Sequence, residues 1–536
     1  MVPDLTEHSG ENNGYSPLQP DWNDPDHPGT IKPPKEALVK ERHLTPQEQY
    51  WKETDDIPSK LRDVERALQE KVGLGVSFDV VFRKMVFGGK PCGFFYMNGF
   101  GKEATMVEVI KRLTYVDEEE LGRHPLQTFY AKVLAHNQAE LMSSFNETVD
   151  KVLAGMTALF IEGERAAILF DAKQFPARSV EEPDLEKVVR GSRDGFVETM
   201  LTNVTLIRRR LRDPRLKFEI VQVGERTKSD ICVAYITDVA DPELVDAFRK
   251  RLQSMKVDGI PMAEKQLEEA MISKGWNPYP TVRFSERPDV VAAHLLDGHI
   301  ALIADTSPSV ILLPSTFFDL MQHAEEYRQT PLVGTYLRWV RYFGILASLF
   351  LLPLWYLLVA HPEFKPPGLE WIGPQESSRL PILLQFILAE LGVDLMRMAA
   401  VHTPSPLATA MGLVAAVLVG EIAVKAGLFV NEVILYLAVA TIGTFATPSY
   451  ELSMANRLFR LFLLIATAVF KVPGFVGGVA LWIVFLALQR PYGTPYLWPF
   501  IPFDARALFS VTIRRPFGAN KIRPAITNPL DRTRRS

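Results

Sequence analysis

The stretch YFGILASLFLLPLWYLLVA, residues 342–360, decides the class of this chain because it runs for 19 residues without a charged side chain. A helix of about 20 apolar residues crosses the hydrocarbon core of a bilayer. Outward from this stretch, residues 342–488 carry 15 charged side chains in 147 positions. The rest of the chain is roughly 28% charged, slightly above a typical globular protein. The sequence therefore predicts a soluble region joined to a membrane region.

Further apolar stretches predict a multipass, all-α membrane bundle of four to six segments. They cover residues 380–400, 407–419 and 428–446, and then a short pair, 461–470 and 475–488, on either side of Lys471-Val-Pro-Gly. The short pair is predicted either as two short spans or as one re-entrant hairpin. Both options give an even number of crossings, so both chain ends share one side of the membrane.

The distribution of basic residues predicts which side that is. Residues 489–536 carry nine basic groups against two acidic ones, and Arg338, Arg341, Arg397, Arg457 and Arg460 are predicted in loops on the same side. Because basic loops stay in the cytoplasm, both ends are expected to be cytoplasmic. The N-terminal sequence has neither a basic region nor an apolar core typical of a cleavable signal peptide.

The soluble region is predicted as an α/β fold with two subdomains. A polar, proline-rich arm at 1–44 is expected to be disordered, and helices are predicted from Thr45 and after Ser59. Strands are predicted at SFDVVFRKMVF, CGFFYMNG, TALFIEG, AAILFD, KFEIVQV, ICVAYIT, VDGI (257–260), HIALIAD and SVILLP. The expected domains are 45–215, 216–330, a membrane domain at 331–490 and a basic tail at 491–536.

Composition and motifs argue against several functions. The net charge of −4 does not fit a nucleic-acid binder, and two cysteines cannot form a disulfide framework. No P-loop, G-x-S-x-G, H-E-x-x-H or dinucleotide-binding fingerprint is present, and the ten histidines are scattered. We therefore expect no enzyme activity, no cofactor and no metal site.

The most informative charges are those of Glu390, Asp394 and Arg397, which lie within an apolar stretch. Their i, i+4, i+7 spacing places them on one face of a helix. Charged groups in a membrane segment usually face a bundle interior or a water-filled path. The three residues are therefore candidates for lining an ion pathway, where the carboxylates would favour cations. An internal salt bridge to Arg397, or a helix lying at the membrane surface, explains the same pattern.

A second basic cluster, Arg208, Arg209, Arg210 and Arg212, occupies the last turn of a helix predicted before Asp213-Pro214. Cations interact favourably with the dipole at that end of a helix. A solvated helix end is one interpretation. A surface for a partner or a neighbouring subunit is the other, and it makes Arg208, Arg209 and Arg210 candidates for subunit contact or coupling.

Several long blocks resemble the A subunits of the GerA-type spore germination receptors. They are EEPDLEKVVRGSRDGFVETMLTNVTLIRRRLRDPRLK (181–217), RTKSDICVAYITDVADPELVDAFRKRLQSMKVDGI (226–260) and ERPDVVAAHLLDGHIALIADTSPSVILLP (286–314). Within that family, 323–342, 389–412 and 470–478 look most like the stage V sporulation branch. The chain departs from the family pattern at Ser192 and at 306–310, which puts direct nutrient sensing in doubt more than the membrane architecture.

The resemblance implies a multipass protein of the spore inner membrane that acts in germination. It implies a homo-oligomer, a pentamer being suspected, that conducts cations beside a small membrane partner subunit. The alternative is a non-conducting scaffold or ligand-sensing subunit. The family positions carried over are Arg190, Gly191, Arg193 and Gly195 in the soluble region and the three charged residues of 390–397.

Overall fold

The computed structural model describes residues 55–122, 124–133, 138–175, 186–271, 276–368, 372–402, 422–519 and 521–534. The predicted arm at 1–44 and the predicted helix start at Thr45 lie outside these residues. The helix predicted after Ser59 is confirmed as α1 (Leu61–Val72). Gly73 ends it with a φ of 75°, a conformation that glycine adopts without steric cost, and its amide donates to the carbonyl of Leu68.

The first of two sheets lies between residues 80 and 170. Its five strands are antiparallel and lie in the order β1-β2-β4-β5-β3. Apolar side chains on both faces pack under the surrounding helices. The elements are β1 (Val80–Phe87), β2 (Lys90–Met97), α2 (Glu103–Thr114), α3 (Glu118–Leu121), α4 (Pro125–Thr128), a π-helical turn (Phe129–Val133), β3 (Ala139–Met142), α5 (Phe145–Leu153), β4 (Thr157–Ile161) and β5 (Ala167–Phe170).

The second sheet follows, also antiparallel, in the order β6-β7-β9-β10-β8. Apolar residues of α6 share one core with this sheet although the helix precedes it in the chain. The elements are α6 (Met200–Arg210), β6 (Leu216–Val223), β7 (Ser229–Ile236), α7 (Pro242–Ser254), α8 (Ala263–Met271), β8 (Arg283–Ser285), α9 (Pro288–Leu296), β9 (Ile300–Ala304) and β10 (Val310–Leu313).

The predicted α/β character of the soluble region is confirmed, with differences in detail. Residues 257–260, predicted as a strand, form a loop held by hydrogen bonds from the amides of Glu225 and Arg226 to the carbonyls of Val257 and Asp258. Conversely, β3 and β8 were not predicted, because each is a short edge strand with little alternation.

The remainder of the described chain is helical. Its helices are α10 (Ala324–Arg328), α11 (Pro331–Ala360), α12 (Ile382–His402), α13 (Ala423–Lys425), α14 (Asn431–Phe445), α15 (Tyr450–Leu488) and α16 (Ala505–Thr512). Two of them, α11 and α15, are long and apolar enough to cross a membrane, and α14 is a shorter apolar helix. The predicted segment at 407–419 lies outside the described residues.

The longest helix, α15, is two helices joined by a reversal. Lys471 has a non-helical φ of 59° and ψ of −135°. A Cβ at Gly474 would overlap the carbonyl of Ala466, and one at Gly478 would lie 2.6 Å from Leu463. Residues eight and fifteen positions apart touch in this way only if the chain folds back on itself. The segment around Lys471-Val-Pro-Gly is therefore the turn of a tight helical hairpin.

The helices run between two ends, which we call proximal (next to the sheets) and distal. α11 runs towards the distal end, whereas α12 and α14 both begin at the distal end and run back towards the proximal end. In the distal half, Trp355 of α11 packs on Phe386 of α12 and Tyr436 of α14. Towards the proximal end, a Cβ at Gly443 would overlap the carbonyl of Gly344, so α11 and α14 cross with their backbones in contact. Glycine at this crossing is what permits so close an approach.

The C-terminal segment returns to the second sheet region. Asn528 donates to Asp241 at the start of α7, and the amide of Leu530 donates to the carbonyl of Val239. Arg534 forms an ion pair with Asp297 after α9. The tail therefore lies at the proximal end, against the soluble region.

Candidate functional site

The charged residues of α12 meet two arginines of α15 inside the helical part. The Glu390 carboxylate lies 2.6 Å from Nη2 of Arg460 and 2.9 Å from Nη2 of Arg457. The Asp394 carboxylate lies 2.5 Å from Nη1 of Arg457. We call Glu390, Asp394, Arg457 and Arg460 the ionic cluster. Helical spacing explains the cluster. The two acids, four residues apart on α12, share one helical face, and it lies against the face of α15 that carries the two arginines, three residues apart.

Arg460 ties the ionic cluster to two further helices. Its Nη1 donates to the carbonyl of Ser348 in α11 at 2.6 Å and to Oγ1 of Thr444 in α14 at 3.4 Å. Both partners lie close to the glycine crossing of α11 and α14. Because the backbones touch there, one guanidinium reaches groups on three neighbouring helices.

The ionic cluster has no net formal charge, and most of it is buried. Glu390, Arg457 and Arg460 are each less than 5% exposed. Buried charges are tolerated only when they are paired and hydrogen-bonded, so the two arginines neutralise Glu390 within a single chain. The Asp394 side chain is 36% exposed and is the one acid of the cluster that faces outward.

Arg397, the third predicted residue, lies apart from the ionic cluster. Its guanidinium lies 5.1 Å from the ring centre of Phe445 and 5.4 Å from that of Tyr450, as in a cation–π contact. Nη1 also lies 3.2 Å from the sulfur of Met454. The ion pairs of Glu390 and Asp394 within the described chain are with α15 rather than with Arg397.

Arg457 and Arg460 were predicted in loops, and that prediction is wrong. Both lie within α15 and are buried, as Arg338 is within α11. Their i, i+3 spacing inside LSMANRLFRLFLLIATAVF (452–470) was the available signal. It pointed to a helical face rather than a loop.

A second buried set of charges joins the soluble region to α11. Glu326 of α10 is fully buried and forms ion pairs with Arg338, at 2.6 Å, and with Arg341. Arg338 also donates to the carbonyls of Ser510 and Val511 at the C-terminal end of α16. The negative end of that helix dipole compensates part of the excess positive charge.

The loop at 188–195 carries the predicted residues Arg190 and Arg193, both exposed. Two hydrogen bonds hold its backbone. The fully buried Arg287 donates to the carbonyl of Ser192, and the amide of Val189 donates to Glu325 of α10. Gly191, with a φ of 146°, packs on the guanidinium of Arg328, where a Cβ would lie 3.0 Å away.

The three arginines at the end of α6 have different surroundings. Arg208 is buried and donates from Nε to Asp79 at 2.9 Å, joining the second sheet to the first. Arg209 lies over the ring of Phe175 at 4.8 Å. Arg210 pairs with Asp194 at 2.6 Å, next to the loop at 188–195. Arg208 and Arg209 thus contact residues that flank the first sheet of the same chain.

Metal ligands are not grouped in the part of the chain that the structure describes: no three His, Cys, Asp or Glu residues there could hold an ion together. Cys92 and Cys232 are both free and buried. Burial raises the pKa of Cys92 to about 12 and that of Cys232 well above its ordinary value. Neither thiol is suited to metal binding or nucleophilic chemistry.

Comparisons with known proteins agree with the resemblance seen in the sequence. The profile of the family described as "Bacillus/Clostridium GerA spore germination protein" matches residues 66–526. Stage V sporulation protein AF of Bacillus subtilis (strain 168) is 47% identical over 470 residues, which cover 88% of this chain and 95% of that protein.

More distant relatives extend over similar lengths. Spore germination protein KA of B. subtilis (strain 168) is 28% identical over 473 residues, 87% of each chain. Spore germination protein B1 of the same organism is 27% identical over 472 residues, 87% of this chain and 97% of its own. The crystal structure of the N-terminal domain of the A subunit of the Bacillus megaterium spore germinant receptor GerK3 matches with a TM-score of 0.40 and 23% identity, covering 49% of this chain and 97% of that one. The family profile and the 47% identical relative both span most of the sequence, and the chain therefore belongs to the GerA family of spore germination membrane proteins.

Proposed function

We propose that this protein is an oligomeric ion channel of the spore inner membrane that releases monovalent cations during germination. The observation that carries the proposal is the ionic cluster, which joins four apolar helices and leaves the Asp394 carboxylate partly exposed. Repeated around a ring of copies, an outward-facing acid in a membrane segment would attract cations and repel anions.

A buried amide, that of Asn456 immediately before Arg457 in the sequence, also supports a polar path. Asn456 is 2% exposed, and neither of its side-chain atoms has a hydrogen-bond partner among the described residues. A buried amide usually bonds to protein or to water. Water or a passing ion at Asn456 would satisfy it.

We propose a multipass topology with both ends on the cytoplasmic, spore-core side. Contacts between the tail and the second subdomain support a common side for both regions. α12 ends near Tyr450 at the proximal end, whereas the turn that follows α13 accepts from the amide of Arg379 at the distal end. An additional crossing at the predicted span 407–419, outside the described residues, would give six crossings.

The proposed assembly is a homo-oligomer of five copies together with a small membrane partner subunit. The resemblance of residues 181–217, 226–260 and 286–314 to receptor A subunits supports a role in a complex of several subunits. Arg190 and Arg193 are our candidates for contact with a neighbouring subunit, because they are exposed on a loop whose backbone is held by Arg287 and Glu325. Arg208, Arg209 and Arg210 would couple that loop to the region of the first sheet.

The channel is tested with the full chain reconstituted in liposomes that report ion efflux. Asp394→Asn removes the exposed charge and keeps the shape, so we expect cation efflux to fall several-fold while the protein level is unchanged. Glu363→Gln is the matched control, since Glu363 is exposed in the distal loop after α11. Unchanged efflux in Asp394→Asn would remove Asp394 from the pathway.

A non-conducting scaffold is the second candidate, and one observation favours it. Glu390 is already neutralised by Arg457 and Arg460 within one chain, as expected for charges that only hold helices together. Single-channel recording of the purified chain separates the two functions. A scaffold would give no conductance in the wild-type chain, whereas a channel conducts until Asp394 is neutralised.

A further inference from the structure

Aromatic and basic side chains from four separate stretches of the chain lie at the proximal end of the helices, all of them exposed except that of Arg515, which is half-buried. We call them the collar. The aromatic members lie in the first turns of α11, next to the end of α15, and just before and within α16. Of the basic members, one follows α15, one lies within α16 and one follows α16. They are Trp276, Tyr336, Trp339, Phe503 and Phe509, with Arg490, Arg506 and Arg515.

The height of the collar follows from the length of α11. At 1.5 Å per residue its 30 residues span about 45 Å, against about 30 Å for a hydrocarbon core. The charge-free part begins at Tyr342, so the first eleven residues project into the proximal headgroup layer. Tyr336 and Trp339 are 66% and 58% exposed there, where tyrosine and tryptophan usually anchor membrane proteins.

Hydrogen bonds hold the other parts of the collar at the same height. The indole of Trp339 donates to the carbonyl of Thr512 at 2.9 Å, which fixes the end of α16 beside α11. Asn277, next to the fully exposed Trp276, donates to Gln489 at 3.0 Å, just after α15. The collar is thus built by contacts among the described residues.

The segment from Phe500 to Arg515 is amphipathic in the way of helices that lie in a membrane surface. Phe503 is 70% exposed, and Phe509 projects outward with the guanidinium of Arg515 4.9 Å from its ring centre. Asp504 is occupied as the N-cap of α16, accepting from the amides of Arg506 and Ala507. Exposed aromatic rings with arginines beside them suit an interface that is apolar below and anionic above.

The basic groups of the collar are available for a ligand. Among the described residues, the side chains of Arg490, Arg506 and Arg515 take part in no ion pair, unlike the buried arginines of α11 and α15. Each such basic group next to an anionic membrane surface adds about 1 kcal/mol of attraction. The positive charge of the collar therefore favours an anionic membrane surface over other molecules that could cover it.

We propose that the collar binds the headgroups of anionic phospholipids at the proximal face of the membrane. The rings of Trp339, Phe503 and Phe509 rest at the acyl boundary, and the three arginines contact lipid phosphates. This inference depends on the proposed membrane topology but not on conduction. It predicts that the protein enriches anionic over zwitterionic lipid around itself.

The test uses the full chain in nanodiscs of equal phosphatidylcholine and phosphatidylglycerol, with the retained lipids counted by native mass spectrometry. The wild-type chain should retain more phosphatidylglycerol. Arg490→Gln, Arg506→Gln and Arg515→Gln together should reduce that preference by about five-fold for each arginine. The matched control, Arg62→Gln, Arg165→Gln and Arg226→Gln, removes the same charge from exposed positions of the soluble region and should keep the preference.

The contrary outcomes are distinct. Equal retention of both lipids by the wild-type chain, or an unchanged preference in the collar variant, would overturn the proposal. Loss of the preference on adding inorganic phosphate would instead identify a free-phosphate site. A change of oligomer mass in the collar variant would show that a second copy covers the surface. Failure of the chain to enter nanodiscs would overturn the topology itself, and absent conductance with lipid preference intact would overturn only the channel.

Discussion

Arg460 is the residue on which the packing of the helical part depends most. It pairs with Glu390 of α12 and donates to groups of α11 and α14, so a single side chain contacts three other helices. Charged groups in such a place stabilise the fold only as a set. Removal of one member leaves the others buried without compensation.

Glu390→Gln should therefore destabilise the protein by about 3–5 kcal/mol, because Arg457 and Arg460 lose a shared counter-charge. The double variant, Glu390→Gln with Arg460→Gln, should lose less stability than the sum of the two single losses, since the Arg457–Asp394 pair remains balanced. Thermal unfolding of the four purified chains gives the coupling energy, which we expect to be 0.5–3 kcal/mol. Arg397→Gln, outside these ion pairs, is the control. Strictly additive losses would contradict a coupled cluster.

Lys217 of β6 predicts a pH dependence of stability. Burial lowers its pKa from 10.5 to about 8, and the positive charge of Arg208 acts in the same direction. Between pH 8 and 10.5 the unfolded chain binds more protons at this group, so stability rises with pH in that window. Below pH 8 the folded state carries a constant penalty.

Lys217→Met should consequently stabilise the chain at pH 7 by about 2 kcal/mol, which allows for loss of the hydrogen bond to the carbonyl of Pro214. The gain should shrink as pH rises from 8 to 10. Apparent unfolding midpoints of both chains across that range check the prediction. A difference that stays constant with pH would assign the effect to packing.

The sequence predicted that Glu390, Asp394 and Arg397 share a helical face but not what they face. Spacing along one helix contains no information about which arginine of another helix approaches it. The positive-inside count placed Arg457 and Arg460 in loops because it treats every arginine as solvated. The pore-lining assignment of 390–397 stays a prediction.

At the scale of elements, the contact between α11 and α14 depends on the absence of a side chain. Gly443→Ala would drive a methyl group into the Gly344 carbonyl, so the helices must separate. We expect a loss of about 1–3 kcal/mol and a weakened hold on Arg460. Gly392→Ala is the matched control, because nothing lies within 4 Å of a Cβ there. Equal unfolding midpoints of the two variants would contradict the close crossing.

Elements with strong periodicity were predictable, and those fixed by distant contacts were not. Strands such as β7 and β9 are continuous apolar runs, and α1 has a clear stop at Gly73. The fold-back of α15 fits both predicted options, two short spans or one re-entrant hairpin, and the approach of Gly474 to Ala466 excludes only a straight helix. The loop at 257–260 has strand-like residues, but its polar partners lie in the turn between β6 and β7.

At the scale of the whole molecule, a continuous set of contacts leads from the loop at 188–195 to the ionic cluster. Val189 contacts Glu325 of α10, Glu326 of the same helix pairs with Arg338 of α11, and Ser348 farther along α11 accepts from Arg460. A displacement of α10 would therefore be transmitted to the helices through α11. The predicted domain boundaries stay predictions, but the ion pair between Glu326 and Arg338 crosses the boundary expected at residue 331.

The same contacts predict which surfaces share a side of the membrane. Arg226 lies in the soluble region and Arg532 in the tail that rests on it, whereas Glu363 follows the distal end of α11. We expect an impermeant maleimide to label the single variants Arg226→Cys and Arg532→Cys from one side of sealed vesicles. It should label Glu363→Cys only from the opposite side. The unmodified chain should stay unlabelled because Cys92 and Cys232 are buried and their raised pKa values keep both thiols protonated. Labelling of Glu363→Cys from the same side as Arg226→Cys would mean that α11 does not cross the bilayer.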